Sequence, residues 1–184
     1  MNPEQVISEQ IEAGERLLWS GQPRRGIFLR AADAFLVPFS IMWGGFAIFW
    51  EVSVLRSDGS AFFALWGIPF VLLGIYLILG RFWVDAATRA RTFYGLTDRR
   101  AIIVSGLLSR TVKSLSLQTM TDVTLTERGD ASGTIAFGQV PPWAGMYGGM
   151  RWPGMGSYGP PSFELIPDAK RIYGLIRQAQ EVRR

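Results

Sequence analysis

The sequence predicts an α+β membrane protein, in which a hairpin of two transmembrane helices precedes a small antiparallel β-rich domain that a C-terminal helix closes. Two long apolar stretches predict the hairpin. Short alternating segments after them predict the strands, and one amphipathic stretch at the end predicts the last helix. Hydrophobic residues make up 48% of the 184 residues, a fraction that favours a bilayer environment for part of the chain.

Residues 1–30 are predicted to form a cytoplasmic N-terminal segment that begins with a short polar helix over 2–13. Pro3 suits the first turn of a helix, and acidic residues near the start suit the helix dipole. No basic region leads into an early apolar core, so we expect no cleaved signal peptide.

A transmembrane hairpin is predicted over residues 31–84, with spans at about 34–55 and 61–80. Each span reaches the length of about 20 residues that a hydrocarbon core of about 30 Å requires. The short connector makes the spans antiparallel neighbours. Buried core helices of a soluble protein are the alternative, and they fit poorly because two runs that are apolar all round would dominate so short a chain.

The small residues in the spans leave two interpretations open. Glycines allow two membrane helices to approach closely, but they are also common in transmembrane helices without such a role. The glycines concerned are Gly44, Gly45, Gly67 and Gly74.

The distribution of arginine predicts the topology. Arg56 is the one basic residue of the connector, whereas many arginines flank the outer ends of the two spans. Because basic residues accumulate on the cytoplasmic side, both termini are predicted to be cytoplasmic in a multi-pass membrane protein. The flanking arginines are Arg16, Arg24, Arg25, Arg30, Arg81, Arg89, Arg91, Arg99 and Arg100.

Residues 85–184 are predicted to form the β-rich domain. Alternation of apolar and polar residues predicts its strands, and one face of the final segment is apolar at helical spacing. A run of antiparallel strands followed by one helix indicates an α+β or barrel-like module. The predicted strands are 91–96, 100–105, 111–117, 122–127, 134–137 and 162–166, and the predicted helix is 168–184.

A motif in this domain points to a family. Tyr94-Gly95-Leu96-Thr97-Asp98-Arg99-Arg100 precedes an Ile-Ile-Val strand and a glycine. This stretch resembles the bacterial pleckstrin-homology-like (PH-like) domain of small membrane proteins, in which a Tyr-x-Leu-Thr-Asp-Arg-Arg stretch occurs in a strand pair. The resemblance covers about residues 91–177, and a preceding two-span hairpin is common in the family. It implies a partly open seven-stranded barrel or sandwich, capped by the final helix at the cytoplasmic face, and it implies no particular ligand.

Residues 139–161 form an insertion rich in Gly, Pro, Met and aromatic residues. Loops of this length are often functional, and aromatic and methionine side chains adapt to partners or to a bilayer surface. The alternative is a loop that folds over its own barrel. The candidate partner contacts are Trp143, Met146, Tyr147, Met150, Trp152, Met155 and Tyr158.

Four cations in or beside the first predicted strands are candidates for contact with anionic lipid head groups: Arg99, Arg100, Arg110 and Lys113. The alternative is that they are solvated charges that discourage strand edges from pairing with other chains. No basic run with interleaved aromatic residues occurs away from the spans, so nucleic-acid binding is not expected.

No enzyme is predicted. The chain contains no Cys and no His, which excludes disulfides, thiolate nucleophiles and His-containing metal sites. It lacks glycine-rich nucleotide loops and the Gly-x-Ser-x-Gly elbow, so we expect no cofactor. Asp33 and Glu51 are interpreted as residues of the membrane interface or of a helix cap.

Two functional hypotheses follow. The first is a non-enzymatic, membrane-anchored PH-like scaffold that contacts a protein partner or anionic lipid head groups at the cytoplasmic face. The alternative is an accessory subunit of a larger membrane complex, which it contacts through its transmembrane helices. Either hypothesis implies a bilayer, together with a membrane protein partner or a second copy of the chain.

Overall fold

The computed structural model describes residues 2–24, 26, 29, 33–57, 60–107, 109–139 and 159–181. The chain divides into two compact units. The hairpin unit takes the described residues between 27 and 85, and the β-rich unit combines the described residues up to Gly26 with those of 86–139 and 159–181.

The hairpin unit contains two long apolar helices, as predicted. Helix α2 covers Asp33–Arg56. Helix α3 covers Ala61–Ile75 and continues through a π-helical turn, Tyr76–Gly80, into helix α4, Arg81–Ala90. By length and composition, Asp33–Arg56 and Ala61–Ala90 are candidate membrane spans.

Small residues line the contact between the two helices. Ser40, Gly44 and Ala47 are the small buried residues of α2, and Gly67 and Gly74 are those of α3. A Cβ atom added at Gly74 would lie 2.9 Å from the Cα atom of Gly44, so the two backbones nearly touch there. Of the two interpretations of the glycines, close approach therefore applies to Gly44 and Gly74. Around Gly45, by contrast, no described atom lies within 4 Å of an added Cβ.

In the described part of the β-rich unit, seven strands form two antiparallel sheets, and the first sheet has the order β1-β2-β3-β4. The predicted strands 91–96, 100–105 and 111–117 correspond to β2, β3 and β4. The sequence analysis did not predict β1, which comes from the N-terminal segment and pairs with β2. These four strands are Leu17–Gly21, Phe93–Thr97, Arg100–Ser105 and Thr111–Ser116.

The second sheet has the order β5-β6-β7 and is followed by the C-terminal helix α5. The strands are Val123–Glu127, Gly133–Phe137 and Ser162–Ile166, and α5 is Ala169–Glu181. Strands and helix match the predicted ones closely, although residues 182–184 of the predicted helix lie outside the described residues.

The main core lies between the two sheets and α5. Phe163 of β7 is its centre, because its ring lies 4.8 Å from that of Tyr94 and 4.9 Å from that of Phe137, centroid to centroid. Ile172 and Ile176 of α5 pack into the same cluster. The apolar face predicted for the last helix is thus the face that closes the core.

A second, smaller core covers the outer face of β2 and β3. Helix α1, Pro3–Ser8, places Val6 and Ile7 against Phe93, Ile102 and Val104. Alternate residues of β3 therefore pack into different cores, and β2 and β3 are buried on both faces.

Candidate functional site

The Thr-Asp-Arg-Arg motif forms the turn between β2 and β3. The hydroxyl oxygen of Thr97 accepts hydrogen bonds from the backbone N–H groups of Arg99 and Arg100, at 3.1 and 2.9 Å. Asp98 accepts one from the backbone N–H of Arg16, at 3.0 Å. The motif is therefore a structural turn that also holds the N-terminal segment in place.

Arg100 is enclosed by acidic residues of that segment. Its guanidinium lies 2.9 Å from a carboxylate oxygen of Glu12 and 3.0 Å from one of Glu15. It also donates to the carbonyl of Gln10 and to the hydroxyl of Ser114. The charge of Arg100 is thus paired within the chain, and its role in contact with a lipid head group stays a prediction.

The pairing of Arg100 and Glu15 changes the pKa of both groups. Burial alone would raise the pKa of Glu15, but hydrogen bonds from Arg100, the Glu12 backbone and Thr97 outweigh it and leave the pKa below its ordinary value of 4.5. The hydrogen bond to Glu15 raises the pKa of Arg100. The pair is therefore fully ionised at neutral pH.

The other three predicted cations differ in their surroundings. Arg110 is half-exposed and lies 3.2 Å from a carboxylate oxygen of Glu9, and Arg99 donates to the carbonyl of Gly14. The side chain of Lys113 is exposed on β4 and makes no ion pair or hydrogen bond with the described part of the chain.

The four cations do not form one patch. Lys113 pairs with Ile103, which packs into the main core, whereas Arg100 contacts Ser114 on the opposite face of the sheet.

The seven candidate contacts in the insertion, from Trp143 to Tyr158, lie outside the described residues, and their role stays a prediction. The flanks of the insertion are described. The backbone N–H of Phe137 donates to the carbonyl of Pro161 at 2.9 Å. The insertion therefore connects two neighbouring strands, β6 and β7.

The hairpin unit contains a buried ion pair that sequence reasoning missed. The Nη1 atom of Arg81 lies 3.0 Å from the Oδ1 atom of Asp33, and their side chains are only 12% and 9% exposed. Asp33 is the first residue of α2, and Arg81 follows the uncharged run of α3. The sequence predicts Asp33 as an interfacial or capping residue and Arg81 as an arginine that flanks a span, but nothing in the local pattern indicates that the two side chains meet.

The carboxylate of Glu51 lies against Gly67 of helix α3, and its place at a membrane interface or in a helix cap stays a prediction. A Cβ atom added at Gly67 would overlap the Oε2 atom of Glu51, so the glycine makes room for this carboxylate. Among the described residues, no group of three or more Asp, Glu, His or Cys side chains could hold a metal ion.

Two antiparallel sheets closed by a C-terminal helix, with the Thr-Asp-Arg-Arg turn between β2 and β3, define a small α+β module of the PH-like class. A family model described as "Bacterial PH domain" matches residues 34–180. The chain therefore belongs to the bacterial PH domain family, and the predicted resemblance is confirmed. The match includes the apolar helices and strands β2 to β7, whereas β1 precedes the matched range.

One similar solved structure is a DUF1696 family protein with a pleckstrin-homology domain from Shewanella loihica PV-4. It is 17% identical in sequence, with a TM-score of 0.33, and the match covers 50% of this chain and 73% of that chain. No curated protein sequence matches the chain.

Proposed function

We propose that this protein is a non-enzymatic, membrane-anchored binding module. The hairpin unit spans the bacterial inner membrane, and the PH-like unit contacts a protein partner or anionic lipid head groups at the cytoplasmic face. Membership of a PH domain family supports the binding role. The observation that carries the proposal is the exposure of large apolar side chains along both long helices, including Phe35, Phe46, Phe49, Phe62, Leu65, Trp66 and Leu72.

This exposure favours a bilayer over water. A core helix of a soluble protein is mostly buried. In the most apolar part of Asp33–Arg56 only 22% is buried, and in that of Ala61–Ala90 only 11%. Soluble proteins rarely expose so much contiguous apolar surface. Helix α2 has 24 residues and is about 36 Å long at 1.5 Å per residue, enough for a hydrocarbon core of about 30 Å.

Topology can be tested with single cysteines, because the natural chain has none. Ser57 in the connector and Lys170 on α5 are both exposed. In intact cells with a permeabilised outer membrane, a membrane-impermeant maleimide should label Ser57→Cys but not Lys170→Cys. Lysis should make Lys170→Cys reactive. Labelling of Lys170→Cys before lysis, or release of the protein without detergent, would contradict the proposed anchoring.

The binding surface can be tested by co-purification from membranes in mild detergent. Alanine at Trp143 and Trp152 should reduce the amount of bound partner or anionic lipid while leaving membrane insertion unchanged. Trp66→Ala is the matched control, since Trp66 is exposed on the hairpin outside the insertion. Unchanged co-purification of the Trp143/Trp152 variant would exclude the insertion as the contact surface.

The alternative of an accessory subunit has its own experiment. If the hairpin itself makes the specific contacts, replacing it with an unrelated two-helix hairpin abolishes co-purification. If the PH-like unit makes them, the chimaera keeps its partner. If the PH-like unit makes the contacts and binds lipid head groups, the exposed Lys113 and Arg99 are better candidates than Arg100, which acidic residues enclose.

A further inference from the structure

The outer face of strands β2 and β3, here called the β2–β3 face, is covered by a segment of the same chain. Three apolar side chains form its floor: Phe93, Ile102 and Val104. The covering segment is the N-terminal strap, residues 2–12, which places Ile7 against Gly95. A Cβ atom added at Gly95 would lie 2.4 Å from the Cγ2 atom of Ile7, so the glycine leaves the space that the isoleucine occupies.

Two arginines beside this face hold the strap through its main chain as well as through its carboxylates. Arg100 donates to the carbonyl of Gln10 at 3.0 Å and pairs with Glu12 at 2.9 Å. Arg110 pairs with Glu9 at 3.2 Å, and its Nη2 atom lies 3.5 Å from another main-chain carbonyl of the strap. Carbonyls repeated along a main chain, together with carboxylates and apolar side chains, are the chemistry of a protein segment. The face therefore fits an acidic peptide better than a lipid head group.

The strap lies outside the hydrogen-bonded sheet. The backbone–backbone hydrogen bonds described for residues 2–15 join residues of this stretch to one another. Helix α1 has six residues, too few to be stable by itself. The side chains of Glu9 and Glu12 are 62% and 70% exposed, and exposed ion pairs contribute little to stability. The buried side chains of Val6 and Ile7 are thus the main attachment, and release of the strap would leave the strand ladder intact.

We propose that the β2–β3 face binds an acidic peptide segment of a protein partner, and that the strap occupies this face until the partner displaces it. The strap itself shows the chemistry of the ligand: the adjacent apolar residues Val6 and Ile7, followed by the carboxylates of Glu9 and Glu12. Glu15, whose side chain is only 1% exposed, keeps the chain fixed just beyond the strap. The inference rests on the proposed binding role and adds a partner surface separate from the insertion.

The test uses the full chain in mild detergent, with a synthetic peptide of residues 2–16 as the probe. Ile7 is 0% exposed, so Ile7→Cys reacts with a maleimide only when the strap is released. An excess of peptide should raise the labelling rate at least about tenfold, because the rate follows the population of the released strap. Ser8→Cys is the matched control, since Ser8 is already exposed and should label equally with and without peptide. An unchanged rate for Ile7→Cys overturns the inference.

A second variant tests where the peptide binds. Gly95→Ala fills the space that Ile7 needs, whether Ile7 belongs to the strap or to the peptide. Its affinity for a fluorescein-labelled peptide, measured by anisotropy, should be at least about tenfold lower than that of the wild type. Gly174→Ala adds the same group where no described atom lies within 4 Å and should bind as the wild type does. Equal affinity of Gly95→Ala and the wild type overturns the inference, and if Gly95→Ala does not fold, the labelling of Ile7→Cys decides.

A parallel series replaces the peptide with lipid. Bicelles that contain phosphatidylglycerol are compared with bicelles of phosphatidylcholine alone, and the labelling rate of Ile7→Cys is measured in both. The two kinds of bicelle should give the same rate if the face selects a peptide. If phosphatidylglycerol raises the rate and the peptide does not, the face binds an anionic lipid and the peptide inference is overturned.

Membrane fractionation separates this inference from the proposed anchoring. If the full chain resists alkaline carbonate extraction but the labelling of Ile7→Cys does not respond to the peptide, the peptide site is wrong and the anchoring stands. If the chain is released without detergent while the peptide still raises the labelling rate, the anchoring is wrong and the peptide site stands.

Discussion

In the β-rich unit the large apolar side chains are inside, with Phe163, Leu96 and Ile135 fully buried, whereas in the hairpin unit they are outside. Phe49 is 71% exposed, and the residues buried between the helices are mostly small. A packed apolar core stabilises a unit in water through the hydrophobic effect. In lipid this drive is absent, and close packing of small residues takes its place. The contrast supports the proposal that the hairpin unit lies in lipid and the β-rich unit in water.

Of the substitutions that test this comparison, Phe163→Ala in the β-rich core should have the largest effect on stability. Removing a buried phenylalanine should lower the free energy of unfolding by about 3–5 kcal/mol. Phe62→Ala in the hairpin, where the ring is 63% exposed, should change it by less than about 0.5 kcal/mol in detergent. Urea unfolding in micelles measures both. Equal effects of the two variants would show that burial does not distinguish the units.

A charge on the outer face of the hairpin should have the next largest effect. Leu72 is 61% exposed near the middle of the second apolar run. Leu72→Arg should cost about 2.5–3.5 kcal/mol of insertion free energy and lower the fraction that resists carbonate extraction. Val112→Arg on the exposed strand β4 should leave that fraction unchanged. Full membrane retention of Leu72→Arg would mean that this face does not contact lipid.

The contact between the hairpin helices can be perturbed by a single methyl group. Gly74→Ala brings a Cβ atom to 2.9 Å from the Cα atom of Gly44 and should cost about 1–3 kcal/mol of helix-pair stability. Gly45→Ala adds the same group where no described atom is near, and should be neutral or slightly stabilising. Loss of helicity during titration with a denaturing detergent reports both, and an early transition of Gly45→Ala alone would contradict this packing.

The smallest expected effect concerns the acidic contacts that hold the N-terminal segment of the β-rich unit. Glu15→Gln replaces a charge-assisted hydrogen bond with a neutral one and should cost about 1 kcal/mol at pH 7. Because the pKa of Glu15 is below 4.5 in the folded state, its contribution is present above pH 4.5 and is lost as the pH falls through the folded value.

The difference in urea midpoint between the wild type and Glu15→Gln should therefore shrink at low pH. Glu4→Gln is the control, because Glu4 is exposed at the start of α1 and contacts no cation among the described residues. A difference that stays constant between pH 7 and the acid range would contradict the ion pair as its cause.

The sequence alone determined the type and order of most elements. Two long uncharged runs predicted the apolar helices, and alternation of apolar and polar residues predicted six of the seven strands in the part of the chain that the structure describes. The Thr-Asp-Arg-Arg motif could indicate the family because its turn depends on local hydrogen bonds, which the hydroxyl oxygen of Thr97 accepts.

Only the tertiary structure decided which distant residues meet. Strand β1, the enclosure of Arg100 by Glu15 and the pairing of Asp33 with Arg81 depend on chain segments separated by dozens of residues. A local pattern shows that a residue is charged or apolar, but a charge finds its partner through the packing of whole elements. For this reason Arg100 could be predicted as a basic site, whereas its ion pairs with Glu12 and Glu15 and the pairing of Arg81 with Asp33 became visible only in the folded chain.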